Sequence, residues 1–192
     1  VKNIKEYESD AHYYLGHIAY QLDDFDTAVS EFSDISNPAQ KDNLTYFQAD
    51  MNFRLGRFDE AVKLAKKILG ESSSEIISEA SKIIGESYFN LKEYDSAIFF
   101  LEKYKGKKGK WNNTDYYQLG YAYYQTGAYN KALTQFNKIT SEKNALAQNA
   151  YYYLADCYLR LNQKSEAQNA FKSAMRMDFD LEVKEDAFFN YA

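Results

Sequence analysis

The sequence predicts an all-α protein of stacked helical hairpins, and three observations carry that prediction. One pattern recurs five times, with its closing alanines (Ala28, Ala61, Ala97, Ala132 and Ala167) at separations of 33, 36, 35 and 35 residues. Inside each copy the apolar residues return at i, i+3, i+4 and i+7, one face of a helix, and Val, Ile and Thr nowhere alternate at the period of two that a half-buried strand needs. Chain breakers are few, eight Gly and one Pro among 192 residues, so long helices can run uninterrupted.

Each copy reads as a helix of roughly 14 residues, a tight turn and a second helix of roughly 12. The first runs from Tyr13-Tyr14-Leu15-Gly16 to Phe25-Asp26-Thr27-Ala28-Val29, and the second from Tyr46-Phe47-Gln48-Ala49 to Phe58-Asp59-Glu60-Ala61-Val62. The third joins Lys82-Ile83-Ile84-Gly85 to Tyr94-Asp95-Ser96-Ala97-Ile98, and the fifth joins Tyr152-Tyr153-Leu154-Ala155 to Lys164-Ser165-Glu166-Ala167-Gln168. The fourth shows the periods best: Tyr116, Leu119, Gly120 and Tyr123, a break at Thr126-Gly127, then Ala132, Phe136 and Ile139. Glycine just past a helix is a common stop.

Gly16, Ala49, Gly85, Gly120 and Ala155 share one register position, and the five alanines share another. Two helices approach to about 8–10 Å only where the facing side chains are small, so these are expected to be hairpin contacts, with Phe25, Phe58, Tyr94 and Tyr129 filling the space beside them.

Tyr116-x2-Leu119-Gly120-x2-Tyr123, followed by Ala132-x3-Phe136 and Ile139, resembles the tetratricopeptide-repeat (TPR) signature. Leu15-Gly16 with Ala28 and Phe32, Ile84-Gly85-x2-Tyr88 with Ala97 and Leu101, and Tyr151-x2-Leu154-Ala155-x2-Tyr158 with Ala167 and Phe171 repeat it. The resemblance implies one right-handed superhelical solenoid over 1–192, with repeats at about 9–41, 42–77, 78–112, 113–147 and 148–181 and a truncated sixth at 182–192. Three departures stand out. No proline closes the repeats, Lys164 replaces a turn aromatic, and the second unit carries Gln48 and Asn52 where Leu and Tyr belong. Either those amides are buried and satisfied, or that helix rotates to use Leu44, Phe47, Met51 and Leu55.

A solenoid has no single central core, so its function falls on an extended surface. The resemblance implies a concave wall lined by the first helix of each hairpin. Its positions here are Asp10, Tyr13, His17, Tyr20 and Gln21; Asn43, Tyr46, Asp50, Phe53 and Arg54; and Glu79, Lys82, Glu86, Phe89 and Asn90. The last two repeats add Thr114, Tyr117, Tyr121, Tyr124 and Gln125, then Asn149, Tyr152, Asp156, Leu159 and Arg160. Nine of these twenty-five are aromatic where the chain average of 17% predicts four. Tyrosine supplies a stiff ring with a polar tip at low entropic cost. A wall of such rings with Asp50, Glu86, Asp156, Arg54 and Arg160 among them suits a protein or peptide segment. The competing use of the same rings, above all Tyr20, Phe53, Phe89 and Tyr124, is packing between hairpins.

The remaining composition excludes other classes. With 23 basic and 28 acidic residues the chain carries −5, the wrong sign for a general nucleic-acid binder, and no apolar run approaches the ~20 residues of a membrane span. His12 and His17 are five apart and do not share a helix face, so no metal site is expected. Cys157, the single cysteine, reads as a buried core thiol that leaves cytoplasm and periplasm equally open. Lys103, Lys105, Lys107, Lys108 and Lys110 cluster beside Gly106, Gly109 and Trp111. The order of residues is not that of a phosphate loop, and a solvated, glycine-interrupted turn is expected, contact with an anionic surface being the alternative. Asp23-Asp24 sits at a turn, where Asp is favoured locally. No catalytic set and no cofactor motif is present.

The sequence-based expectation is therefore a non-catalytic scaffold binding a protein or peptide segment. The alternatives are glycan binding by the tyrosine rows or a structural role in a bacterial envelope assembly; the Asn-, Lys- and Tyr-rich composition suggests a bacterial source. No signal peptide lies within these residues. Starting at Val1 and stopping inside a helical pattern, the sequence is expected to be a fragment of a longer chain. The monomer is expected, with dimerisation through the truncated last repeat as the alternative.

Overall fold

The computed structural model describes residues 2–36, 38–70 and 74–191, and side chains within these except at 2–6, 38–43, 74 and 75. Among the described residues eleven helices follow one another: α1 Lys2–Gln21, α2 Phe25–Ser33, α3 Pro38–Arg54, α4 Phe58–Ile68, α5 Ser74–Asn90, α6 Tyr94–Leu101, α7 Asn113–Gln125, α8 Tyr129–Phe136, α9 Ala145–Arg160, α10 Lys164–Ala174 and α11 Leu181–Tyr191. Among the described residues the only β geometry is an isolated bridge between Lys107 and Lys110, and no helix is long and apolar enough to cross a membrane. The fold is the all-α helical-repeat solenoid that the periodicity predicts.

Two compact units divide the chain, Val1–Leu91 and Lys92–Ala192. In the first, α1 pairs with α2 and α3 with α4, while α3 rests on α1 and α2, and α5 on α3 and α4. In the second, α7 pairs with α8 and α9 with α10. There α6 lies on α7, α9 on α7 and α8, and α11 on α9 and α10.

Turn chemistry sets the hairpins. Asp23, Gly56, Lys92, Gly127 and Asn162 occupy the same place after each first helix, all at φ between 58° and 76°. This left-handed residue lets the following N–H reach back five residues, as Asp24 does to Ala19 at 2.9 Å, Ala128 to Tyr123 at 2.9 Å and Gln163 to Tyr158 at 2.8 Å, which closes the helix end. Side-chain caps begin others: Asp24 accepts from the Thr27 N–H, Asn112 and Asp115 form a reciprocal capping box on α7, and Asn144 caps α9.

Core burial follows the repeat. Ala28, Ala61, Ala97, Ala132 and Ala167 are fully buried, as are Ala49, Ala155 and Cys157. At Gly16 an added Cβ would sit 2.5 Å from the Phe32 ring, and at Gly120 the nearest atom would be Phe136 at 3.0 Å. The close approach therefore requires glycine more strictly in the first hairpin than in the fourth. In the second repeat Leu44 and Met51 are buried, Phe47 packs on the same cluster, and Leu55 is exposed. Gln48 and Asn52 are half-buried, and the Asn52 amide donates to the Gln48 carbonyl at 2.8 Å. This helix keeps register with the others, because the equivalents of Leu44 and Met51, such as Ala80 and Ala122, are buried too.

One polar clasp has no sequence signature. Gln148, fully buried on α9, donates its amide towards the carbonyls of Ala174, Met177 and Asp180 (3.3, 3.0 and 2.9 Å) and accepts from the N–H groups of Phe179 and Asp180 (3.1 and 2.9 Å). It pins the connection between α10 and α11. Ser9, at the same repeat position in the first unit and buried, accepts from the Ser36 N–H after α2, a lighter form of the same tie.

Two stability outcomes follow. Gly16→Ala lowers stability by about 1–3 kcal/mol by overpacking and costs more than Gly120→Ala, read from urea denaturation of the two variants. Gln148→Leu strips five backbone groups of their partner and lowers stability by more than about 2 kcal/mol, with hydrogen exchange rising first at residues 177–184.

Candidate functional site

Two aromatic clusters are built alike, one in each unit. In the first, Tyr13 stacks on His17 at 6.4 Å, His17 on Tyr20 at 6.2 Å, and Tyr20 lies 6.4 Å from Phe25. Phe47, from the next first helix, reaches His17, Tyr20 and Phe32 at 5.3, 5.1 and 5.7 Å. In the second, Tyr117 stacks on Tyr121 at 6.1 Å, and Tyr121, Tyr124 and Tyr129 continue the row at 6.1 Å steps. Tyr153 is the inserted ring here, 5.0 Å from Tyr121, 5.1 Å from Tyr124 and 5.9 Å from Phe136. Tyr94 of α6 adds an edge contact to Tyr121 at 6.0 Å.

A carboxylate closes each row. The buried Tyr20 donates to Asp50 Oδ2 at 2.6 Å, and Tyr124 donates to Asp156 Oδ2 at 2.6 Å. An arginine one turn later grips the same carboxylate: Arg54 Nε to Asp50 at 2.7 Å, Arg160 Nε to Asp156 at 3.4 Å. The two networks differ at one point. Arg54 also bonds Asp23 at 2.9 Å and lies 5.3 Å from the centre of the Tyr20 ring, so its fork is occupied. In the second unit Gly127 stands where Asp23 stands in the first, and Asp156 is the only ion-pair partner of Arg160 among the described residues.

The other residues expected from the sequence to line a groove have surroundings of their own. Tyr46 is half-buried 5.8 Å from Phe47, and Phe53 is half-buried 5.8 Å from Phe58. Glu86 is buried and faces Lys82 at 3.8 Å; Phe89 is half-buried on α5. Tyr152 is half-buried, 5.8 Å from Phe171. Asn43 has its side chain outside the described residues. The structure thus unites Tyr20, Asp50 and Arg54 in one network and Tyr117, Tyr121, Tyr124, Asp156 and Arg160 in another. Sequence reasoning missed Phe47 and Tyr153, although an aromatic follows Tyr46 and Tyr152 at the same repeat position. It also missed Asp23 as the second anchor of Arg54.

The electrostatics follow from burial. Burial, then the bond to Asp50, raises the Tyr20 phenol above its ordinary value of 10.0. Burial and the bond to Asp156 do the same for Tyr124, and burial beside neighbouring phenols does so for Tyr117 and Tyr153. The Cys157 thiol is pushed up to about 12, chiefly by burial, which leaves it unreactive. His12 is tied to Glu31 at 2.8 Å, whereas the buried Nδ1 of His17 has no partner among the described residues. Among the described residues no three His, Cys, Asp or Glu side chains are grouped to hold a metal. Ring faces for apolar groups and a partly open guanidinium for an anionic or carbonyl oxygen are what the surface offers.

Hairpins of this kind define a helical-repeat protein, in which each unit packs only on its neighbours and the stack presents an extended surface. Its fold is the tetratricopeptide-repeat fold. Residues 90–174 match the family model described as anaphase-promoting complex, cyclosome, subunit 3. The chain is similar to the crystal structure of YrrB, described as a TPR protein with an unusual peptide-binding site: 16% identity, TM-score 0.79, 98% of this chain and 96% of that one covered. It is similar also to MamA, with 22% identity, TM-score 0.69 and coverage of 95% and 94%. A second MamA structure, designated AMB-1, gives 18% identity, TM-score 0.74 and coverage of 93% of each chain.

The raised phenols fix a pH response. They favour the neutral form in the folded chain, so their contribution is whole below the unfolded value near 10.0 and is lost as pH climbs through the higher folded values. Tyrosinate absorbance from these rings is expected to appear above 10.0 and together with loss of the helical circular-dichroism signal.

Proposed function

We propose that the chain is a non-catalytic scaffold that binds a protein or peptide segment along the aromatic faces of its first helices, the concave wall of the repeat. The observation that supports this best is the duplicated arrangement of a ring row ended by an aspartate and an arginine, with Tyr13, Tyr46, Tyr121 and Tyr152 half-exposed. Rings of this kind take apolar anchors, and the charges at the end of the row set register. Tyr20, Tyr117 and Tyr153 serve as the platform beneath, their rings already engaged with neighbours. Arg160, more than half exposed in its side chain at 54%, is the group best disposed to meet a peptide carboxylate or carbonyl, since planar donors in a fork suit such acceptors. The peptide-binding site named for YrrB accords with this reading.

A peptide array probed with the chain is expected to yield binding segments, and Arg160→Ala is expected to weaken a selected peptide about tenfold with an unchanged melting temperature. Tyr121→Ala should weaken it as well. Full binding by both variants would sink the proposal, and signal confined to a parallel glycan array would transfer the tyrosine rows to sugar stacking.

A further inference from the structure

The lysine-rich segment between α6 and α7 is an ordered turn. Lys108 and Gly109 both have positive φ, 53° and 75°, and the Lys110 N–H donates to the Lys107 carbonyl at 3.1 Å. This is a two-residue type I′ turn, in which both central residues are left-handed. Asn and Gly are at ease in such a place; a lysine is not. The bridge sets Lys107 directly across from Lys110, a like-charge pairing that works against the turn. Gly106 holds it: buried, at φ 86°, it lies so close that a Cβ would collide with the Lys110 backbone. Trp111 anchors the base, donating to the Tyr104 carbonyl at 3.0 Å with its ring 5.4 Å from that of Tyr116.

Two local penalties thus converge on three exposed lysines, Lys107, Lys108 and Lys110, held by a glycine that tolerates no side chain. Lys103 flanks them, its ammonium 3.8 Å from the centre of the Phe99 ring, and Phe99 is itself 55% exposed. Strain of this sort persists where its surroundings hold it and clusters at ligand clamps and switch regions, and here like charges are added to it. We infer that the Lys107–Lys110 turn is a docking site for a short acidic protein segment, whose carboxylates bridge the opposed lysines. The occupant is short because the turn itself presents three exposed lysines, a number that a few carboxylates match. An extended polyanion, nucleic acid or membrane, calls for a broader positive surface than a chain of net charge −5 supplies. The site is separate from the aromatic groove and does not depend on it.

The test is fluorescence anisotropy of a labelled oligoglutamate peptide titrated with the whole chain. Saturable, salt-sensitive binding is expected, lost in Lys107→Glu/Lys108→Glu/Lys110→Glu and unaffected by Lys164→Glu, an exposed charge reversal at the start of α10. Gly106→Ala keeps every lysine and is expected to weaken binding about tenfold. Lys108→Asn is expected to raise the melting temperature while weakening the peptide, opposite signs that a merely structural turn does not produce. The inference is overturned if Gly106→Ala, checked as folded by circular dichroism, binds like wild type, or if Lys164→Glu loses as much as the triple reversal. It is equally overturned if Lys108→Asn leaves affinity unchanged, or if phosphatidylserine vesicles or an oligonucleotide bind the turn and oligoglutamate does not.

Discussion

The insertion of one aromatic ring from a following helix over the small-residue contact of the preceding hairpin is the constraint on which each unit depends. Phe47 and Tyr153 fill the same place in their respective units, each meeting the second-helix phenylalanine, Phe32 or Phe136, that also limits the approach at Gly16 or Gly120. A hairpin alone would leave that phenylalanine and its neighbours partly open to water, at a hydrophobic cost of roughly 25 cal/mol per Å². The inserted ring closes the gap, and it does so from a residue outside the hairpin. Cohesion in such a repeat comes from neighbours rather than from any one unit.

The same geometry explains why rings collect on the first helices. A ring that serves as platform is pinned by partners on two other helices, as Tyr153 is by Tyr117, Tyr121 and Tyr124 on α7 and by Phe136 on α8. A ring at the margin, such as Tyr152 beside Phe171, keeps part of its face available. Packing and the proposed recognition therefore fit as successive layers of one surface, and the two uses of tyrosine do not exclude one another.

How much was legible beforehand follows from the range of each interaction. The helices, the small hairpin contacts and the five fully buried alanines are local in period and could be read from spacing. The in-register second repeat was readable only in part, because Gln48 and Asn52 mask a face that Leu44 and Met51 define. The hydroxyl partners of Tyr20 and Tyr124 lie 30 and 32 residues away, and their pairing depends on how one hairpin is rotated on the next. Gln148 reaches as far, to the loop beyond α10, and nothing in a lone glutamine announces a clasp. In the basic segment the glycines were legible as breaks, whereas the positive φ of Lys108 contradicts residue preference and could not be read.

Arg54 and Arg160 share one scaffold yet differ in how they are wired. The first is held between two carboxylates, Asp50 and Asp23, whereas the second has only Asp156, at the longer separation of 3.4 Å. Dissolved ions compete best with loosely held, water-facing charges. Raising the ionic strength therefore slackens the latter latch more than the former, so two faces matched ring for ring respond to the surrounding electrolyte as different materials.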